Sequence, residues 1–195
     1  MKKWLIPIGI IVVLAILFVS PYNSLVEKDT NAEKAWNNVE SSYQRRNDLI
    51  GNLVKTVQGA ADFERGTLTD VIEARSKATS VNVDASNLNA AQIAQFQEAQ
   101  QGVTSALSRL LVTVERYPDL KANQNFQQLQ SQLEGTENRI NVARDRFNEA
   151  VAEYEKTRRS FPSNITAMLF GFDEMDGFES DPGAENAPDV DFDFE

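Results

Sequence analysis

The sequence predicts an all-α protein: an N-terminal transmembrane helix continuing into an up-down bundle of long antiparallel helices, three long and one short. Three observations predict it. Trp4 to Val19 is an unbroken apolar run. Three later stretches carry apolar residues at alternating steps of three and four, which keeps one stripe of a helix against its neighbours. Breakers are scarce, with nine Gly and six Pro in 195 residues.

The anchor comes first. From Trp4 to Tyr22 a helix rises about 27 Å, close to a hydrocarbon core of roughly 30 Å. Trp4 and Tyr22 then fall at the two lipid–water levels where amphipathic rings settle, so both are expected to be membrane-interface residues. The competing reading is a cleaved signal peptide. Cleavage after Ser20 would set Phe18 at the third position before the cut and Pro21 directly after it, both unfavourable. Residues 1–21 are therefore read as a retained signal anchor that meets the bilayer through Trp4–Val19. No Cys follows the run, which excludes a lipoprotein anchor. Lys2 and Lys3 favour an inner N-terminus, while Lys28 and Lys34 lie close on the far side among acidic residues. The body is expected to face outwards.

Residues 22–162 form the expected bundle. The first seam reads Trp36, Val39, Tyr43, Arg46, Ile50, Leu53, Val57, Ala60. The second reads Ile93, Phe96, Gln100, Val103, Leu107, Leu110, Val114, Tyr117. The third reads Phe126, Leu129, Leu133, Thr136, Ile140, Ala143, Phe147, Ala150, Tyr154. A short segment, Leu68 to Ala78, adds the fourth helix. Phe63 to Gly66 separates the first two helices, with Gly66 as a cap. Asn89, followed three residues later by Gln92, resembles a capping box at the next helix start. Pro118 forces Tyr117 out of helical geometry, and Pro162 does the same to Phe161.

Composition narrows the chemistry. With no Cys and no His, thiol and His-based catalysis, disulfides and the usual zinc ligand sets are excluded. The net charge of −10 is local: ten acidic residues and no base lie between Asp173 and Glu195, and the remaining 19 acids match the 19 Lys and Arg. A neutral body offers no basic face, so no nucleic-acid partner is expected. The segment 173–195 is expected to be an acidic disordered tail. Asp189, Asp191 and Asp193 alternate as in a calcium loop, but the turn Gly and the terminal bidentate Glu are missing. No metal, cofactor or catalytic residue is expected.

These residues resemble the LemA family of bacterial membrane-anchored helical proteins. The likeness runs through Tyr22-Asn23-Ser24-Leu25-Val26, Ala35-Trp36, Arg45 to Ile50 and Glu73-Ala74-Arg75. It continues through Glu115 to Asn123, Thr136 to Ile140, Phe161-Pro162 and Gly171-Phe172. It departs at Gly51, where the family typically has Pro. The resemblance implies a helical bundle behind a signal anchor, in the cell envelope, with no established enzymatic activity.

Arg46, Gln100 and Thr136 interrupt otherwise apolar seams. They are read as a polar layer that fixes helix register, against the plainer reading in which their ends reach the bundle edge. If the first and last long helices are antiparallel with Asn23 opposite Ser160, Arg46 lies level with Glu137, which completes the layer. Residues 163–172 are an apolar stretch that returns to the bundle base. It either caps the core there or lies in the membrane interface through Met168, Leu169 and Phe170. The favoured function is a non-enzymatic, membrane-tethered scaffold for protein partners or for copies of itself. A self-assembling membrane-remodelling or membrane-organising oligomer and a ligand-sensing bundle are the alternatives, although no small-molecule substrate site is evident.

Overall fold

The computed structural model of the chain describes residues 2–59, 63–85 and 88–179, with side chains from Phe18 onward. It contains α1 Lys2–Gln58, α2 Arg65–Ser80, α3 Ala90–Val114, α4 Pro118–Lys121, α5 Gln124–Arg159 and α6 Ser163–Phe170, and no strand among the described residues. None of the described helices is long and apolar enough to cross a membrane. The expected span Trp4–Val19 lies outside the described side chains except for Phe18 and Val19, and Trp4 lies outside with it.

The helix α1 runs on through Pro21 and Gly51. Its part from Tyr22 to Gln58 rises about 55 Å and α5 about 54 Å, so the two match in length. They lie antiparallel, tied at two levels. Lys28 Nζ is 2.5 Å from Glu153, and Arg46 Nη1 is 2.9 Å from Glu137. Arg46 with Glu137 falls on the alignment that sets Asn23 opposite Ser160, and Lys28 with Glu153 lies two residues off it. The helices α2 and α3 pair with each other, and α2 covers only the half of α1 that lies away from α6.

The seams are the core. Each seam residue from Trp36 to Val57 and from Ile93 to Val114 is buried, and in α5 only Leu129 and Ala150 are half-buried. The apolar core divides in two. A distal cluster holds Leu49 to Val57 of α1 with Leu68, Val71, Val103, Leu110 and Leu133. A proximal cluster holds Leu25 to Tyr43 with Ile93, Phe96, Ile140, Phe147 and Tyr154. Arg46, Gln100 and Thr136 occupy the level between them, and all three are buried.

Local chemistry explains the boundaries. Asn89 caps α3, its side chain accepting the Gln92 N–H at 3.1 Å. The reciprocal half of a capping box is missing, since Gln92 Oε1 is buried with no partner. Tyr117 adopts φ −120°, ψ 83°, outside helical geometry, as the following Pro requires. Pro118 also opens α4 at a position that needs no N–H. Gly171, at φ 74°, ends α6 in the left-handed conformation that glycine takes at no steric cost.

Two expectations are corrected. First, Gly66 is no cap: α1 stops at Gln58, and Gly66 lies inside the first turn of α2. Second, the tail does not begin at Asp173. Residues 173–179 form a strap laid back along the bundle, with Met175 and Phe178 buried in the proximal cluster. The helix α2 does not reach this level, and the strap fills the gap. Residues 180–195, with the Asp189–Asp193 alternation, lie outside the described residues.

Candidate functional site

The base of the bundle is built around α6. A turn through Phe161 and Pro162 reverses the chain after α5, and α6 then lies across the ends of α1 and α5. Thr166 and Ala167 face inwards and are buried. Ile165, Met168, Leu169 and Phe170 point outwards, with Met168 86% exposed, and Phe161 beside them is 79% exposed. Tyr22 joins this surface. Its ring meets Phe170 edge-on at 5.0 Å and Phe172 at 5.7 Å, which binds α1 to α6 where α1 enters the bundle. Of the proposed interface residues, Tyr22, Met168, Leu169 and Phe170 thus share one end of the molecule. Both readings of 163–172 have a physical counterpart: one face of α6 closes the core, and the other is open and apolar.

An ionic collar borders this surface. Glu155 accepts from Arg158 Nε at 2.9 Å, Arg159 Nε at 3.0 Å and the Met175 N–H at 3.0 Å. Burial opposes ionisation of Glu155, but these donors outweigh it and hold its carboxyl below the ordinary range. Arg159 also reaches Glu174 at 3.1 Å, which fixes the start of the strap.

At mid-height lies the polar layer. Arg46 Nη1 donates to Glu137 at 2.9 Å and to Thr104 Oγ1 at 3.2 Å. Its Nη2 donates to Gln100 Oε1 at 2.6 Å and to the Gln100 carbonyl at 3.3 Å. The guanidinium also stands 4.8 Å from the Tyr43 ring centroid, and Arg46 Nε is buried with no partner. Glu137 is more open than the sequence suggests, its side chain 39% exposed. Thr136 is buried but turns to its own helix, donating to the Gln132 carbonyl at 2.7 Å, so it is level with the layer without joining it. Beside Arg46 a groove of about 370 Å³ opens between α3 and α5, lined by Gln97, Gln101, Thr104 and Asn141 among others.

The strap is the feature that sequence reasoning missed. Phe178 inserts among Trp36, Phe96 and Phe147, with ring centroids 5.8, 6.4 and 5.7 Å away, and Arg144 covers its ring at 4.6 Å. Asn148 grips the Phe178 backbone twice, accepting its N–H at 2.8 Å and donating to its carbonyl at 3.1 Å. Tyr154 donates to the Asp173 carbonyl at 2.7 Å, and burial pushes its hydroxyl pKa up to about 12. The available signal was a Phe next to Gly177 in an acidic run. A Cβ at Gly177 would stand 2.7 Å from Asn148 Oδ1, so only glycine lets the strap come this close.

A helical bundle with a polar girdle, an open apolar base and a C-terminal strap is the class of protein that these elements define. The chain belongs to the LemA family, whose pattern it matches over residues 35–192. That match passes beyond Phe172 and takes in the strap. Among curated proteins it is similar to Magnetosome protein MamQ of Magnetospirillum gryphiswaldense, 26% identical over 183 residues, covering 84% of this chain. It is also similar to Magnetosome protein MamQ 2 of Paramagnetospirillum magneticum, 24% identical over 181 residues and covering 84% of this chain. Protein LemA of Metamycoplasma hominis is 22% identical over 152 residues, covering 78% of this chain. The chain spans 66% of the length of each of these relatives, just under two thirds.

Proposed function

We propose that this chain is a non-enzymatic interaction scaffold of the bacterial cell envelope, tethered by its N-terminus, with its helical body standing outwards from the membrane. The observation that carries this reading is the coincidence of two apolar features at one end of the molecule. The outward face of α6, with Phe161, lies where α1 emerges from the run Trp4–Val19. Soluble monomers rarely leave large contiguous apolar patches in water, and this one is placed to sink into the lipid interface beside the tether. Moving about 300 Å² of such surface out of water is worth about 7 kcal/mol before ordering costs. The tether supplies the attachment, and α6 sets the tilt of the rod. Partner proteins or further copies then meet the long faces of α1, α3 and α5.

The test is fractionation of native membranes followed by cross-linking. The full chain should stay in the membrane after an alkaline wash, and deletion of Trp4–Val19 should release it as a helical protein. The deleted form should keep weak affinity for liposomes, and Leu169→Glu with Phe170→Glu should abolish it. Recovery of a mature N-terminus at or beyond Pro21 would sink the tether. Cross-linking read by mass spectrometry separates discrete partners, expected of a scaffold, from ladders of the chain itself, expected of a self-assembling oligomer.

A further inference from the structure

We propose that the cleft holding residues 173–179 is a peptide-recognition site, and that its second occupant is the same strap from a neighbouring copy of the chain. The partners that the strap finds all belong to the bundle. The Asp176 N–H donates to the Leu88 carbonyl at 3.3 Å, and the Asp176 carboxylate accepts from the Ala90 N–H at the start of α3 at 3.0 Å. Asn148 reads the backbone of Phe178 in both directions, and three rings and a guanidinium enclose its side chain. The Glu179 carbonyl accepts from Gln97 and from Arg144. This arrangement recognises an acid–Gly–Phe–acid peptide, and nothing in it requires the peptide to come from the same molecule.

The surroundings favour exchange over an empty cleft. Without Phe178, the faces of Trp36, Phe96 and Phe147 would open to water, so release of one strap calls for another. Exchange restores the same contacts and costs only association and the hinge, which is why swapped segments are a low-cost route to assembly. The hinge is at hand, since the strap leaves α6 through Gly171 in its left-handed conformation, with exposed Asp173 and Glu174 behind it. Seven residues from Gly171 to Phe178 reach at most about 25 Å. Phe178 sits at the level of Trp36, about 21 Å along α1 from Tyr22 at the base, so the extended strap keeps roughly 13 Å of sideways reach and serves a neighbour whose cleft faces it across the contact. This step rests on the proposed membrane tether, because confinement in a plane provides the local concentration that favours exchange.

The absence of cysteine allows a clean test. Gln97 Nε2 is 3.5 Å from the Glu179 carbonyl. Full chains carrying only Gln97→Cys and full chains carrying only Glu179→Cys are reconstituted together in liposomes and mildly oxidised. A disulfide between them can form only in trans. A chain carrying both substitutions reports the occupancy in cis. The expected result is a cross-linked heterodimer whose yield rises with the chain-to-lipid ratio. Phe178→Ala on the Glu179→Cys chain should lower that yield at least fivefold, as should Asn148→Ala on the Gln97→Cys chain. A heterodimer yield indifferent to both substitutions, or an intramolecular disulfide alone, would overturn the exchange. Flotation of the same samples with the liposomes reports separately on the tether, so the two ideas fail by different readouts.

Discussion

Replacing Arg46 by Ala removes the only buried cationic side chain among the described residues, and the consequences can be apportioned atom by atom. Gln100 loses the donor to its Oε1 and stays buried, which costs about 1–3 kcal/mol. Two methylenes of packing vanish between the distal and proximal clusters, worth about 1.5 kcal/mol if the gap stays open. The guanidinium over Tyr43 contributes about 1 kcal/mol. Glu137, already open to solvent, rehydrates and adds little. In the other direction, the variant no longer buries a charge whose Nε lacks a partner. The expected loss is about 3 kcal/mol in urea unfolding followed by circular dichroism, with an unchanged m-value. Raising salt to 1 M should leave it nearly constant, because the loss comes from a buried hydrogen bond and packing rather than from the open ion pair to Glu137. The compensating partner is Gln100 rather than Glu137, so Arg46→Leu with Gln100→Leu should recover most of the stability. A loss below about 1 kcal/mol, or one that shrinks with salt as a surface pair does, would refute the argument.

Three further outcomes follow from other parts of the structure. Tyr154 is neutral in the fold up to about pH 12 but ionises near 10 when unfolded, so stability should be intact below pH 10 and fall between pH 10 and 12. Tyr154→Phe should remove that alkaline component and cost about 1 kcal/mol at neutral pH through the lost bond to Asp173, as thermal melts across pH would record. Gly177→Ala places a Cβ against Asn148 Oδ1 and should free the strap, seen as faster protease cleavage after Phe178 with the helical signal retained. Asn89→Ala should destabilise the chain by about 1 kcal/mol in urea unfolding, because the Gln92 N–H loses its cap.

The features the sequence made legible are those that repeat. Seam spacing found the buried face of each long helix because helical periodicity acts locally and is reinforced every turn. It also passed through Arg46 and Gln100, since their positions belong to the stripe even though their side chains do not. Capping at Asn89 and the break at Tyr117 are set by adjacent residues and were readable for the same reason. The strap was not. Met175 and Phe178 lie in an acidic run with no periodicity, and their burial depends on a gap created by the end of α2 at Ser80, far away in sequence. The exposure of Glu137 was hidden likewise. Level is a one-dimensional property that register gives, whereas solvent access depends on which neighbours close around the helix.

The polar girdle at Arg46 has a consequence for how such a molecule can vary. The buried apolar core divides at this level, bridged at its edge by the half-buried Val81, so a substitution near Leu110 has little direct route to the rings around Phe147. The two halves communicate mainly through the rigid helices α1, α3 and α5 that pass through both. The tip can therefore change with little demand on the packing of the stem. Its loops can be remodelled while the stem keeps its grip on the strap and the base. Chimeras joined at the level of residues 46, 100 and 137 would cut where the core is already cut.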